Sequence, residues 1–350
     1  MIRNVLICTT QVPFVSGGAE AHVAGLAAAF RREGFDAEVV ALPFKWYPPA
    51  EIVNNVLAWR LLDLTESNGV PVDLVVGMKF PAYCAEHPRK VLWIIHQHRS
   101  AYNLSGTPFD DLLTHPEGPR VRTLIRRCDE QFIPEARKVF ANSKEVAARL
   151  LRYNNIESEP LYHPPPRAAQ LFSADTGDYV FYPSRVETQK RQSLLVEAMR
   201  YTKTNVRAVI TGRGPALDEC RALAKEFRVA DRVELRGFVE ESELLSLYAN
   251  ALAVCYLPFD EDYGYVALEA MYAARALVVA RDGGGATEFV ADGENGFVVE
   301  PDARALAARL DELHRDRDLA RRLGARGREK VDALNLSWPN VVERLISAAA

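Results

Sequence analysis

Four acidic side chains, Asp260, Glu261, Asp262 and Glu269, lie close together in FDEDYGYVALEAM (259–271). The stretch follows an apolar run, ALAVCYLP (251–258), and leads into a helical pattern, so the acids occupy a strand–loop–helix joint. Glu269 falls among Val266, Leu268, Met271 and Tyr272, partly in apolar surroundings. A carboxylate there costs too much to bury unpaired and needs donors such as a pair of ribose hydroxyls. The amides of residues 263–266 have no acceptor within the helix they begin, which favours phosphate oxygens. Hydroxyl recognition on either side of an anion site is one chemistry this spacing allows. A divalent metal held by Asp260, Glu261 and Asp262 is a second, and a solvated loop is a third.

Similar polar groups follow other apolar runs. In YPSRVETQKRQSLLVEAM (182–199), Arg185 supplies a guanidinium fork and Lys190 a point ammonium, which together suit a diphosphate. Two solvated cations are the alternative. ITGRGPALDE (210–219) puts Gly212 and Gly214 at a strand–helix joint that admits close approach of a ligand. In GFVEESELLSLYANA (237–251), Ser242 and Glu243 fit a helix start, and the backbone near it is placed to face a base. PFVSGGAEAHVAG (13–25) offers Gly17 and Gly18 before a helix start that favours an anion. It is not GxGxxG, and no acid on a second strand completes a dinucleotide fingerprint. In IIHQHRSAY (94–102), His96 and His98 share a face, but no further metal ligand stands at suitable spacing. His96 is read as a hydrogen-bonding group at a strand end, with a structural histidine left open. ARDGGGATEFVADGENGFVVEP (280–301) adds three glycines and Glu288.

The elements that must position these residues alternate along the chain. Strands are expected at 4–9, 36–42, 72–78, 90–96 and 138–143, then at 179–184, 206–212, 232–237, 251–258, 276–281 and 296–301. Their unbroken Val, Ile and Leu runs suit parallel strands covered on both faces. Helical stretches such as 19–34 and 216–229 lie between them, which implies right-handed βαβ units and doubly wound sheets. At 350 residues the chain exceeds one core, so two domains are expected. The seam is NNIESEPLYHPPPRAAQ (154–170), read as a linker because three prolines break both periodicities. A final helix is expected within 336–350. Ligands of such sheets bind beyond the carboxyl ends of the strands.

Composition narrows the function. The chain is 48% apolar and 26% charged with a formal charge of −4, a globular balance without the basic footprint of a nucleic-acid binder. MIRNVLICTTQVPF is too short an apolar run for a signal segment and reads as a buried first strand. The five cysteines are scattered and form no CxxC, which suits buried thiols in a reducing cytosol.

GAE near the N-terminus, Arg185 and Lys190 after the seam, TGRGP, the Glu261–Glu269 pair, GGG with Glu288, and DGENGF together resemble glycosyltransferase family 4. The resemblance covers essentially the whole chain and is strongest over 179–302. It implies an α/β GT-B architecture: two Rossmann-like, doubly wound parallel-sheet domains facing a central cleft. The first, acceptor-side domain would span 1–165, with the helix 337–350 packing back on it. The second, at 166–336, would bind the donor.

The activity implied is retaining, metal-independent transfer of a sugar from a nucleoside diphosphate sugar to an acceptor hydroxyl, without a cofactor. Glu269 would bind ribose, and Arg185 and Lys190 the diphosphate. Glu261, with amides of Tyr263, Gly264, Tyr265 and Val266, would contact sugar and phosphate. His96 would lie beside the sugar, Gly17 and Gly18 would close over the phosphates, and Phe238 and Val239 would meet the base with Gly212 and Gly214 nearby. Lys79 and Arg99 are candidate acceptor contacts. Here EDYG stands where many members have EGFG, so Asp262 replaces a glycine and is left without a role; YHPPP stands where they have Asn-Gly, so the contacts of that pair do not carry over. A metal-dependent transferase using Asp260-Glu261-Asp262, a sugar-nucleotide epimerase and a non-catalytic nucleotide-sugar sensor are the rivals. The implied setting is the cytoplasm, with RVRTLIRRC (120–128) basic enough for contact at the inner membrane face. A solvated helix face is the alternative reading of that run.

Overall fold

A computed structural model describes residues 2–350. The chain forms two compact units, Met1–Pro166 with Ser337–Ala350, and Arg167–Leu336. In chain order the first contains β1 (Asn4–Gln11), α1 (Gly18–Arg32), β2 (Asp36–Pro43), α2 (Ala50–Arg60), β3 (Glu66–Ser67), β4 (Val70–Pro71), β5 (Leu74–Gly77), β6 (Lys90–Ile94), α3 (Gly118–Phe132), β7 (Lys138–Ala141), α4 (Lys144–Asn154) and β8 (Glu159–Pro160). The second contains β9 (Tyr179–Pro183), α5 (Gln192–Met199), β10 (Arg207–Thr211), α6 (Leu217–Glu226), β11 (Val233–Gly237), α7 (Glu241–Asn250), β12 (Ala253–Tyr256), α8 (Tyr265–Tyr272), β13 (Ala276–Ala280), β14 (Gly296–Val299), α9 (Ala303–Arg315) and α10 (Arg317–Ala333). The last helix, α11 (Trp338–Ala349), returns to the first unit.

Each unit is built on a six-stranded sheet. The orders are β2-β1-β5-β6-β7-β8 and β11-β10-β9-β12-β13-β14, and every pairing within them is parallel. In β5, β6, β12 and β13 every residue is buried, as the unbroken apolar runs require of strands covered on both faces. In the second sheet the order reverses direction between β9 and β12, and in the first between β1 and β5. Crevices beyond the carboxyl ends of strands at such reversals are where open α/β sheets bind ligands.

The local sequence sets the boundaries. Ser143 accepts from the Val146 amide at the start of α4, and Asp302 and Asp316 cap α9 and α10 in the same way. Helix α11 buries Val341, Val342, Leu345 and Ala349 in the cluster that holds Val5, Ile7, Leu26 and Phe30. Burial of each large side chain there contributes about 1.5–3 kcal/mol.

Two local expectations need correction. The segment 154–170 is not linker throughout, because Glu159–Pro160 pairs with β7 as a sixth strand and His163 is buried. Helix α7 starts at Glu241 with Glu240 as its N-cap, so Ser242 lies inside the first turn and does not cap it. The basic run 120–128 lies in α3, which buries Val121, Ile125 and Asp129 and exposes Arg120, Arg126 and Arg127. Among the described residues, no helix is long and apolar enough to cross a membrane.

Candidate functional site

The reversal point of the second sheet gathers the loops after β9 and β12. Gln189 and Phe259 exchange two hydrogen bonds across them: Phe259 N–H donates to the Gln189 carbonyl at 2.8 Å, and the Gln189 side-chain Nε2 donates to the Phe259 carbonyl at 2.9 Å. Arg191 fastens the joint. Its guanidinium grips both oxygens of Asp282 at 2.6 and 3.0 Å and donates to the carbonyls of Leu257 and Pro258 at 2.8 Å. The three-glycine loop then packs under the acidic stretch. A Cβ on Gly284 would lie 2.4 Å from the Glu261 carbonyl, so only glycine admits this approach.

This framing brings Lys190 to Glu261. The ammonium pairs with Glu261 Oε2, and Tyr256 donates its hydroxyl to the same oxygen at 2.6 Å. Burial raises the Glu261 pKa, but the Lys190 charge and the bonds from Lys190 and Tyr256 outweigh it, and the net direction is down. The carboxylate is therefore held ionised against a cation at the carboxyl end of the sheet. Arg185, expected to share a phosphate with Lys190, instead extends to Glu187 at 3.0 Å with half its side chain exposed. Asp260, for which a solvated loop was one alternative, is half-buried in a left-handed conformation, and its N–H donates to the Asp282 carbonyl at 2.8 Å.

Eight residues beyond Glu261, Glu269 is buried in the second turn of α8. Gly264, at φ 85°, caps this helix, Tyr263 precedes it, and Tyr265 and Val266 form its first positions. Glu269 is held by two groups that the sequence did not disclose. Arg167 Nη1 donates to Oε1 at 3.0 Å, and Tyr248 donates to Oε2 at 2.6 Å. Burial raises the Glu269 pKa, and Arg167 and Tyr248 offset this only in part. The expectation that a buried carboxylate here needs donors holds, but protein groups already supply two of them.

Gly212 and Gly214 pack closely against the loop after β9. Cβ atoms on them would lie 1.8 Å from the Ser184 carbonyl oxygen and 2.1 Å from that of Val186. Their bare backbone admits the neighbouring turn that carries Arg185. Phe238, just after β11, is 60% exposed with the Arg213 guanidinium over its ring at 5.2 Å, and Val239 follows it.

In the first unit the reversal point lies between β1 and β5, and the loops beyond them meet through Glu20. One of its oxygens accepts from the Gly17 amide at 2.8 Å, and the other from Lys79 at 3.1 Å. Gly17 caps α1 and Gly18 is its first residue. His96 is half-buried and its Nδ1 donates to the Gln97 carbonyl at 2.8 Å. Arg99 opens the short turn Arg99–Ala101 that follows. Burial lowers the pKa of His98 to about 4, so it is neutral at physiological pH. Beneath this loop, buried Asp129 accepts from Tyr83 at 2.8 Å, Tyr102 at 2.7 Å and Gln97 at 3.4 Å. Among the described residues, no three His, Cys, Asp or Glu side chains converge as metal ligands.

Residues 167–330 match the family model described as glycosyl transferases group 1. A D-inositol 3-phosphate glycosyltransferase of Nocardia farcinica is 29% identical over 246 residues, covering 63% of this chain and 54% of that protein. A GDP-mannose-dependent alpha-(1-6)-phosphatidylinositol monomannoside mannosyltransferase of Mycobacterium tuberculosis is 37% identical over 176 residues, 46% of this chain and 44% of that protein. The chain thus spans about half the length of these curated relatives. In fold it resembles Anabaena Alr3699/HepE, solved with UDP and glucose, at a TM-score of 0.71 and 17% identity over 99% of this chain and 100% of that one.

Proposed function

We propose that this chain, whose residues 167–330 match the group 1 glycosyltransferase model and which has the GT-B fold, transfers a sugar from a nucleoside diphosphate sugar to an acceptor hydroxyl with retention at the anomeric carbon. The observation that carries the reading is the Lys190–Glu261 pair at the reversal point of the second sheet. Similarity to a protein solved with UDP and glucose and to a GDP-mannose-dependent mannosyltransferase makes UDP-sugars and GDP-sugars the first donors to try.

On this reading the donor diphosphate replaces Glu261 as the partner of Lys190. Glu261, with Tyr256 still donating to it, turns to the hydroxyls of the sugar. The first amides of α8 meet the phosphates, and Glu269 accepts from the ribose. Arg185, exposed and paired with Glu187, swings to the diphosphate. Phe238 and Val239 face the base. As the glycosidic bond breaks, negative charge grows on the leaving diphosphate, where fixed cations and helix amides stabilise it without reorganisation. The leaving phosphate assists removal of the acceptor proton, so no side-chain nucleophile is needed. His96 lies beside the sugar, the Gly17–Gly18 turn closes over the phosphates, and Lys79 and Arg99 serve the acceptor.

Turnover of isotope-labelled donor in the presence of an acceptor panel tests this. Lys190→Ala is expected to lower turnover about 100-fold or more, the effect of losing one preorganised stabilising group. The product should carry the donor's anomeric configuration, and EDTA should leave the rate unchanged. Wild-type turnover by Lys190→Ala contradicts the phosphate assignment. An inverted product contradicts retention, and an altered sugar nucleotide formed without transfer points to epimerisation.

A further inference from the structure

Arg167, the first residue of the second unit, follows three prolines and bridges two carboxylates. Its Nη1 donates to Glu269 at 3.0 Å and its Nε to Glu241 at 2.6 Å. The Glu269 side chain is only 5% exposed and that of Arg167 31%. Glu241 opens α7 three positions after the exposed Phe238, and Tyr248 of the same helix donates to the second oxygen of Glu269 at 2.6 Å. One fork thus joins the segment after β11 to the acid of α8. A carboxylate has about four lone-pair sites. Arg167 occupies one on Oε1 and Tyr248 one on Oε2, which leaves each oxygen able to accept once more. Two hydroxyls on neighbouring carbons match that demand, one to each oxygen.

We propose that Arg167 is a positioning residue for donor recognition, fixing the plane of the Glu269 carboxylate so that each oxygen accepts one hydroxyl of the ribose cis-diol. The inference rests on the assignment of Glu269 to the ribose. A lysine cannot replace the fork, because a point ammonium does not hold two carboxylates in set directions. A purely structural role, tethering residue 167 to α7 and α8, would change stability but not the response to the diol.

The test compares affinity for UDP and GDP with affinity for their 2′,3′-dideoxy counterparts, by titration calorimetry on the full chain. Wild type should bind the better ribonucleotide about tenfold or more tightly than its dideoxy form, the scale of hydrogen bonds to a charged acceptor. Arg167→Gln should reduce that ratio to about threefold or less, through weaker ribonucleotide binding with little change for the dideoxy form. Should Arg167→Gln melt below the assay temperature, Arg167→Lys carries the test with the same expected fall. An unchanged ratio in a folded variant overturns the role of Arg167 while leaving the ribose assignment standing. A wild-type ratio of one overturns both.

Discussion

Glu261 is half-buried and Glu269 buried, and their surroundings shift them in opposite directions. Lys190 and Tyr256 hold Glu261 below the ordinary carboxylate range, whereas burial dominates at Glu269. The Tyr256 hydroxyl is therefore a lesser contributor than Lys190 and a separable one. Tyr256→Phe removes one hydrogen bond to an ionised acceptor and leaves the cation in place. Donor turnover is expected to fall about tenfold, well short of the Lys190→Ala effect, with circular dichroism unchanged. A loss equal to that of Lys190→Ala would show that Tyr256 does more than orient Glu261. The acids and Lys190 were legible in the sequence because each follows an apolar run. Their partners were not: Tyr248 and Arg167 come from a helix and from a presumed linker, 21 and 102 positions from Glu269. Sequence stated that a buried acid needs a donor, but only the fold says which one. Arg191 was hidden differently, in plain view beside Lys190, since nothing local tells a clamp from a solvated cation.

At the level of elements, the loop after β6 rests on Asp129 of α3. Tyr83 and Tyr102 donate to it, and Asn154 donates onward to Tyr102 at 3.1 Å. Burial raises the Asp129 pKa, the three donors pull it back, and it lies at about 7. In the unfolded chain an aspartate ionises near pH 3.8. The folded state therefore holds this proton over a range in which the unfolded chain has lost it. The contribution of Asp129 to stability is complete below about pH 4, shrinks as pH rises to 7, and is constant above that. Asp129→Asn abolishes this dependence. Relative to wild type, the variant should gain stability between pH 4 and 7, at most about 1.4 kcal/mol per pH unit. Denaturant melts at pH 4.5, 6 and 7.5 check it, and a constant difference between the proteins refutes it. A second element-level feature is the seat of α10 on the end of α8. A Cβ at Gly324 would lie 2.1 Å from the Ala274 carbonyl, which is backbone and cannot yield cheaply. Gly324→Ala should destabilise by about 1–3 kcal/mol despite alanine's better helix propensity. A rise in melting temperature would show that the two helices part without cost. Neither contact was legible, because a small residue on a helix face carries no mark of what lies opposite.

For the whole molecule, alternation of apolar runs with helical patterns was enough to disclose two parallel α/β sheets, and the strand runs match β-strands within a few residues at each end. What alternation could not give is strand order, which depends on crossover paths between distant runs. It also missed the two-residue β8, too short for any periodicity. The strand order matters most, since it places Lys190 and Glu261 on adjoining loops at the reversal of the second sheet. Everything proposed for catalysis depends on that reversal receiving a nucleoside diphosphate sugar. The direct measurement is thermal unfolding of the full chain with UDP-, GDP-, ADP- and dTDP-sugars, each alongside the Lys190→Ala variant. A donor at about 100 times its dissociation constant should stabilise the folded protein by about 2.7 kcal/mol, a rise of several degrees, and Lys190→Ala should lose most of it. An unmoved midpoint with every donor would contradict the account.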